Sequence, residues 1–137
     1  MARRILLLGA TGTIGRACAA LFAERGHDVV GIMRARPTAG AATDNSTPAA
    51  GLTWRSCDVT DPESLARDGI RGEHFDVIVS CLASRNGAPA DAWAIDHRAH
   101  RYALHAAQAA GIRQFVLLSA ICVQKPLLEF QKAKLAF

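Results

Sequence analysis

Three glycines, Gly9, Gly12 and Gly15, follow the apolar run Arg3–Leu8 and open a stretch with helical spacing. Glycine has no Cβ, so the backbone of such a turn can approach an anion closely. The helix start adds N–H groups without intrahelical partners and a partial positive charge. The turn Gly9-Ala-Thr11-Gly12-Thr13-Ile14-Gly15 therefore reads as a pyrophosphate cradle. Its place at the first strand-to-helix turn matters more than the glycines alone. Arg34 ends the next strand. An acid at that position binds ribose hydroxyls, whereas an arginine suits an added 2′-phosphate. Arg36 stands close enough in sequence to assist. Asp58-Val59 follows the third strand, where a carboxylate can accept from the adenine amino group. Alternatively, Asp58 belongs to a helix-capping cluster with Thr60 and Asp61. Cys81-Leu82-Ala83-Ser84 follows the fourth strand, so its backbone is expected beside the same ligand. Cys81 reads as a small buried residue, not a nucleophile. These residues together call for NADPH.

A second group lies near the C-terminus. Phe115–Ser119 reads as a buried strand with a serine at its C-terminal end, followed by a helix carrying Lys134. Lys125 lies between them, and Phe130 stands four residues before Lys134. A phenyl ring cannot donate a proton. Phe130 either lines a pocket or packs into the core with Leu127 and Phe137, which share its helical spacing. His97 and His100 share a helix face, but no further ligand has suitable spacing, so no metal site is expected.

The elements that must position these groups alternate regularly. Strands are expected at Arg3–Leu8, Asp28–Met33, Leu52–Ser56, Phe75–Ser80 and Gln114–Ser119. The helix over Thr13–Arg25 should bury Ile14, Ala17, Cys18, Leu21 and Phe22, and stop at Gly26. Asp61 caps a helix with Pro62 in its first turn. A long helix over Ala90–Ala110 should bury Ile95, Ala99, Tyr102, Ala106 and Ala109, closed by Gly111. Residues 82–90 and 35–51 read as loops, the second mobile, and a last helix starts at Pro126. Strands that are apolar on both faces and alternate with helices imply a doubly wound parallel sheet. Right-handed crossovers then give the strand order 3-2-1-4-5.

The chain has 137 residues, half of them hydrophobic and a fifth charged, which suits one domain spanning 1–137. No apolar run is long enough to cross a bilayer, and no targeting peptide is read at the start. Four dispersed cysteines support neither a disulfide framework nor a metal cluster. The net charge of +4 and pI near 9.2 suit an anionic small ligand. Nucleic-acid binding rests on that charge alone and is not expected. The chain stops at Phe137 inside the apolar pattern Leu127, Phe130, Ala133, Phe137. The domain is therefore expected to be incomplete at its C-terminus, short of its final strands. Alone it should be inactive and prone to associate through the fifth-strand edge.

With these motifs in place the whole chain resembles the atypical, extended branch of the short-chain dehydrogenase/reductases, a Rossmann-like family. Their tyrosine and lysine, four apart, correspond here to Phe130 and Lys134. Within that branch it resembles the divinyl chlorophyllide 8-vinyl reductases. The likeness lies in Val79–Arg85, Trp93–Asp96 and above all Leu118-Ser-Ala-Ile-Cys-Val-Gln-Lys-Pro-Leu-Leu-Glu-Phe-Gln-Lys-Ala-Lys134. The resemblance implies NADPH-dependent reduction of a ring vinyl group to ethyl on a divinyl (proto)chlorophyllide. It places Lys134 on the nicotinamide ribose, Ser119 in the nicotinamide pocket and Lys125 among the proton donors. Asp96 stands where many members have asparagine, and no catalytic role is expected of it. The implied partner is a tetrapyrrole. The implied setting is a bacterial cytoplasm near photosynthetic membranes, with peripheral membrane contact. A regulatory NADP-binding module without chemistry is the alternative, since Phe130 fits both.

Overall fold

The computed structural model describes residues 1–34 and 51–137. Most of the loop expected over 35–51, and Arg36 with it, lies outside the described residues. Five strands form one parallel sheet: β1 (Arg4–Leu8), β2 (Asp28–Met33), β3 (Leu52–Ser56), β4 (Val77–Ser80) and β5 (Gln114–Leu117). Their order is β3-β2-β1-β4-β5, as the alternation implied, and every pairing is parallel. The order reverses between β1 and β4, which opens a crevice at the C-terminal ends of those strands.

Among the described residues, four helical segments cover the sheet. Helix α1 is Thr13–Glu24. Helix α2 starts as Pro62–Ser64 and widens into a π-helical turn, Leu65–Ile70. Helix α3 runs from Pro89–Ala92 through a π-helical stretch, Trp93–Ala99, to His100–Ala109. Helix α4 is Glu129–Ala136. The Asp61 carboxylate accepts from Glu63 N–H at 3.0 Å, with Pro62 opening the helix. Gly26 and Gly111 close α1 and α3 at φ of 80° and 70°, a conformation glycine adopts without Cβ strain.

The core has two layers. On one face of the sheet Leu6, Leu8, Val30, Ile32 and Ile78 pack with Phe75 and with Leu65, Ala99 and Ala103 from α2 and α3. On the other, Leu7, Val29 and Ala10 pack under Ala19 of α1. Each large aliphatic side chain so buried contributes about 1.5–3 kcal/mol.

Five expectations fail in instructive ways. Strand β5 ends at Leu117, short of Ser119, and as an edge strand it has no fully buried residue. Helix α1 does not bury Ile14, Ala17 and Leu21, which are exposed; Gly15, Ala19 and Ala23 face inward. A Cβ at Gly15 would lie 2.0 Å from Gly9 O, so the helix is rolled to bring its glycine onto the turn. The inward stripe of α3 is Ala92, Ile95, Asp96, Ala99, His100, Ala103 and Ala107, while Tyr102 and Ala106 are half-buried and Ala109 is exposed. The π-helical turn takes more residues per turn than an α-helix and shifts the phase. Strand β3 is not apolar on both faces: Thr53, Trp54 and Ser56 are exposed, and its inward residue is Arg55. The Arg55 guanidinium is satisfied by Gly69 O at 2.7 Å and the Glu73 carboxylate at 2.8 Å. The last helix begins at Glu129, not Pro126. Leu128 is extended, and the Gln131 side-chain oxygen accepts from the N–H groups of Leu127 and Leu128 at 3.0 Å each.

Candidate dinucleotide cleft

The cleft lies where β1 and β4 end. It encloses about 290 Å³ and is lined by Gly9, Thr11, Gly12, Thr13, Ile14, Gly15, Arg34, Cys57, Val59, Cys81, Leu82 and Ala83, among others. A neighbouring depression of about 240 Å³ shares Arg34, Cys57 and Val59 and adds Asp58 and Asp91. Cofactor residues expected from the sequence thus converge from four separate strand ends, with Lys134 behind the wall.

The glycine turn is built by its backbone. Gly9 adopts φ of 71°, and Gly12 N–H donates to its carbonyl at 3.1 Å. A Cβ at Gly9 would lie 2.7–2.9 Å from Cys81 C, Cys81 O and Leu82 N, so this turn packs directly on the end of β4. Gly12 is different. A Cβ there would meet Gly9 O at an ordinary 3.5 Å and nothing closer. Packing within the chain does not demand glycine at this position. The first helical bond runs from Arg16 N–H to Gly12 O at 2.9 Å, which leaves the amides of Thr13, Ile14 and Gly15 without helix partners. This cradle fits a pyrophosphate.

Arg34 is exposed at the rim of both depressions. Asp58 makes the local turn weighed from the sequence: its Oδ1 accepts from Thr60 N–H at 2.8 Å and Thr60 Oγ1 at 2.6 Å. It also borders the smaller depression, while the helix cap itself is Asp61. Burial pushes the Cys81 thiol up to about 11, with Cys18 adding to the rise. It stays protonated at neutral pH, as a packing residue should.

The C-terminal group is placed differently. Lys134 is buried. Its ammonium donates to Leu82 O at 3.1 Å and Leu118 O at 3.3 Å, and lies 3.2 Å from Asp96 Oδ1. Two of the three ammonium protons go to these carbonyls, and Asp96 Oδ1, though within ion-pair distance, accepts no hydrogen bond. Ser119 is exposed, one residue beyond Leu118, which lines the cleft. Lys125 is exposed in the turn closed by its N–H to Cys122 O at 3.0 Å, and it does not line the cleft. Phe130 is half-buried. The core trio with Leu127 and Phe137 does not form, because Leu127 is exposed and Phe137 packs on His100 and Phe115.

Sequence reasoning missed Ser80 and His100. His100 Nδ1–H donates to Asp96 O at 3.0 Å, so Nε2 accepts the Ser80 hydroxyl at 2.7 Å. Burial holds the imidazole below its ordinary pKa, which keeps it neutral. The available signal was the i, i+4 pair Asp96 and His100 beside the apolar positions Ile95 and Ala99.

The NAD(P)H-binding family model matches residues 9–136. Divinyl chlorophyllide a 8-vinyl-reductase of Zea mays is 44% identical over 136 residues, covering 97% of this chain and 34% of that protein. Photosystem II assembly factor Ycf39 of Cyanophora paradoxa is 32% identical over 123 residues, 88% of this chain and 35% of that protein. The chain thus spans about a third of the length of the curated relatives it matches. Among solved structures, the Bordetella bronchiseptica enzyme WbmG in complex with NAD and UDP superposes with a TM-score of 0.76 at 22% identity, covering 99% of this chain and 48% of that one. That likeness concerns the fold. Among the described residues no helix is long and apolar enough to cross a membrane. Cleft, sheet order and family match agree: the chain belongs to the NAD(P)H-binding family.

Proposed function

We propose that this chain forms the dinucleotide-binding part of an NADPH-dependent reductase that converts the 8-vinyl group of a divinyl chlorophyllide or protochlorophyllide to ethyl. The observation that carries this reading is 44% identity over nearly the whole chain to a protein of that name. In the cleft, Gly9, Gly12 and Gly15, with the amides of Thr13 and Ile14, hold the pyrophosphate and Thr11 flanks it. Arg34 pairs with the 2′-phosphate, which separates NADPH from NADH. Asp58 and Val59 border the adenine, and the backbone of Cys81, Leu82 and Ala83 runs along the bound chain. Lys134 holds the nicotinamide ribose and Ser119 borders the ring.

When bound, NADPH supplies a hydride. Phe130 cannot supply the matching proton. A vinyl group conjugated to a macrocycle spreads the negative charge, so protonation at carbon can follow later; the candidate donors include water and Lys125, which is exposed and does not line the cleft. Proximity to photosynthetic membranes, with peripheral contact, goes with such a pigment, and the maize relative is chloroplastic by name. A bacterial cytoplasm is the setting we propose for this chain.

A regulatory NADP-binding module is the second reading. The 32% identity to a photosystem II assembly factor and the missing tyrosine favour it. Incubating the full-length protein that carries this chain with NADPH and divinyl chlorophyllide a separates the two, since the chain alone is expected to be inactive. The reductase reading expects a product gaining one hydride and one proton at the vinyl group, with NADPH consumed in step. NADPH binding without product selects the regulator. Absence of NADPH binding removes both.

A further inference from the structure

The segment Leu82–Ser84 lines the cleft and has no regular secondary structure, yet three buried side chains hold its backbone. The Ser80 hydroxyl accepts from Leu82 N–H at 3.3 Å. The Lys134 ammonium donates to Leu82 O at 3.1 Å. The Asp96 carboxylate accepts from Ser84 N–H at 3.1 Å through Oδ2. These three groups are joined behind the wall. Asp96 Oδ1 faces the Lys134 ammonium, and the Asp96 carbonyl fixes His100, whose other nitrogen holds Ser80. Ser80, Asp96 and His100 are fully buried, and the Lys134 side chain is 4% exposed.

Such a network does not follow from packing alone. Burying an ion pair costs desolvation that well-packed apolar residues of the same volume avoid. What apolar residues cannot do is hold three particular backbone groups. The same ammonium also binds Leu118 O at 3.3 Å, so it ties the end of β5 to the segment after β4. We infer that Asp96, acting with Lys134 and with the Ser80–His100 pair, is a positioning residue that fixes the Leu82–Ser84 wall against which the distal half of the dinucleotide docks. This deepens the cofactor reading above and rests on it for the identity of the ligand. Asp96 need not touch that ligand; it acts through Ser84 N–H and Lys134.

Asp96→Asn keeps the side-chain size and removes the counter-charge. Ser80→Ala is a milder change that frees Leu82 N–H alone. For wild type and both variants, two quantities are measured: amide exchange at Leu82–Ser84 against β1, and affinity for NADPH against adenosine 2′,5′-bisphosphate, which lacks the nicotinamide half. Asp96→Asn should speed exchange at Ser84, and Ser80→Ala at Leu82, each with β1 unchanged. Loss of a charged hydrogen bond from the wall should weaken NADPH roughly tenfold or more, with the fragment within about twofold of wild type. Unchanged exchange at Leu82–Ser84 in both variants overturns the inference. So does an equal loss of NADPH and fragment, which marks a global defect. If Asp96→Asn does not fold, Ser80→Ala decides by the same criteria. If wild type binds no NADPH, the cofactor reading falls and the exchange measurement alone decides the clamp.

Discussion

At the β1–β2 end of the cleft the surface offered to a ligand is backbone; at the β4–β5 end it is shaped by buried side chains. The glycine turn is closed by its own backbone and packs on the backbone at the end of β4. Gly9 and Gly15 set its path, and a hydrogen bond from Gly12 N–H to Gly9 O closes it. The opposite end depends on Asp96, His100 and Lys134 reaching from two helices to hold a loop and a strand end. An anion site can be local. A site that must orient a reacting group is assembled from residues far apart in sequence, and in this chain Ser119 and Lys125 stay exposed.

The contrast breaks most sharply at Gly15. Gly15→Ala places a methyl group about where Gly9 O stands, so the turn or the helix must move. We expect a loss of roughly 3 kcal/mol of stability together with dinucleotide binding, read by denaturant unfolding and titration. Gly12→Val is the complementary case. Because a Cβ finds only ordinary contact there, folding should be nearly unchanged while NADPH and NADH both weaken by tenfold or more, on the order of 1.4 kcal/mol. A destabilised Gly12→Val protein would show that this glycine serves the fold and not a ligand.

A smaller effect sharpens the other half. His100 has its pKa lowered from 6.5 by burial. The unfolded chain therefore takes up a proton at a pH where the folded one does not. Stability from this site is fully present above about pH 6.5 and is lost as pH falls from there toward the folded value, by at most about 1.4 kcal/mol per pH unit. Unfolding midpoints between pH 7.5 and roughly pH 5 should show that slope in wild type and lose it in His100→Asn.

The same division governs what the sequence makes legible. Strand alternation and the glycine spacing are local, and they led to the sheet order and the cleft lining. Errors arose where a distant contact overrode periodicity: Gly15 rolling α1 onto the turn, a π-helical turn shifting the stripe of α3, Arg55 entering the core because Gly69 and Glu73 satisfy it. The clamp behind the Leu82–Ser84 wall was invisible for the same reason. Asp96 and His100 are four apart, but Ser80 and Lys134 join them only once β4 and α4 have docked on α3.

Binding of NADPH by this cleft through its 2′-phosphate is the central claim, and titration calorimetry with NADPH and NADH on wild type and Arg34→Ala tests it most directly. We expect wild type to prefer NADPH. Arg34→Ala should weaken NADPH by roughly 1.5–3 kcal/mol, the worth of a charge-assisted contact, and leave NADH nearly unchanged. Equal affinities in wild type, or equal losses for both cofactors in the variant, would contradict the account.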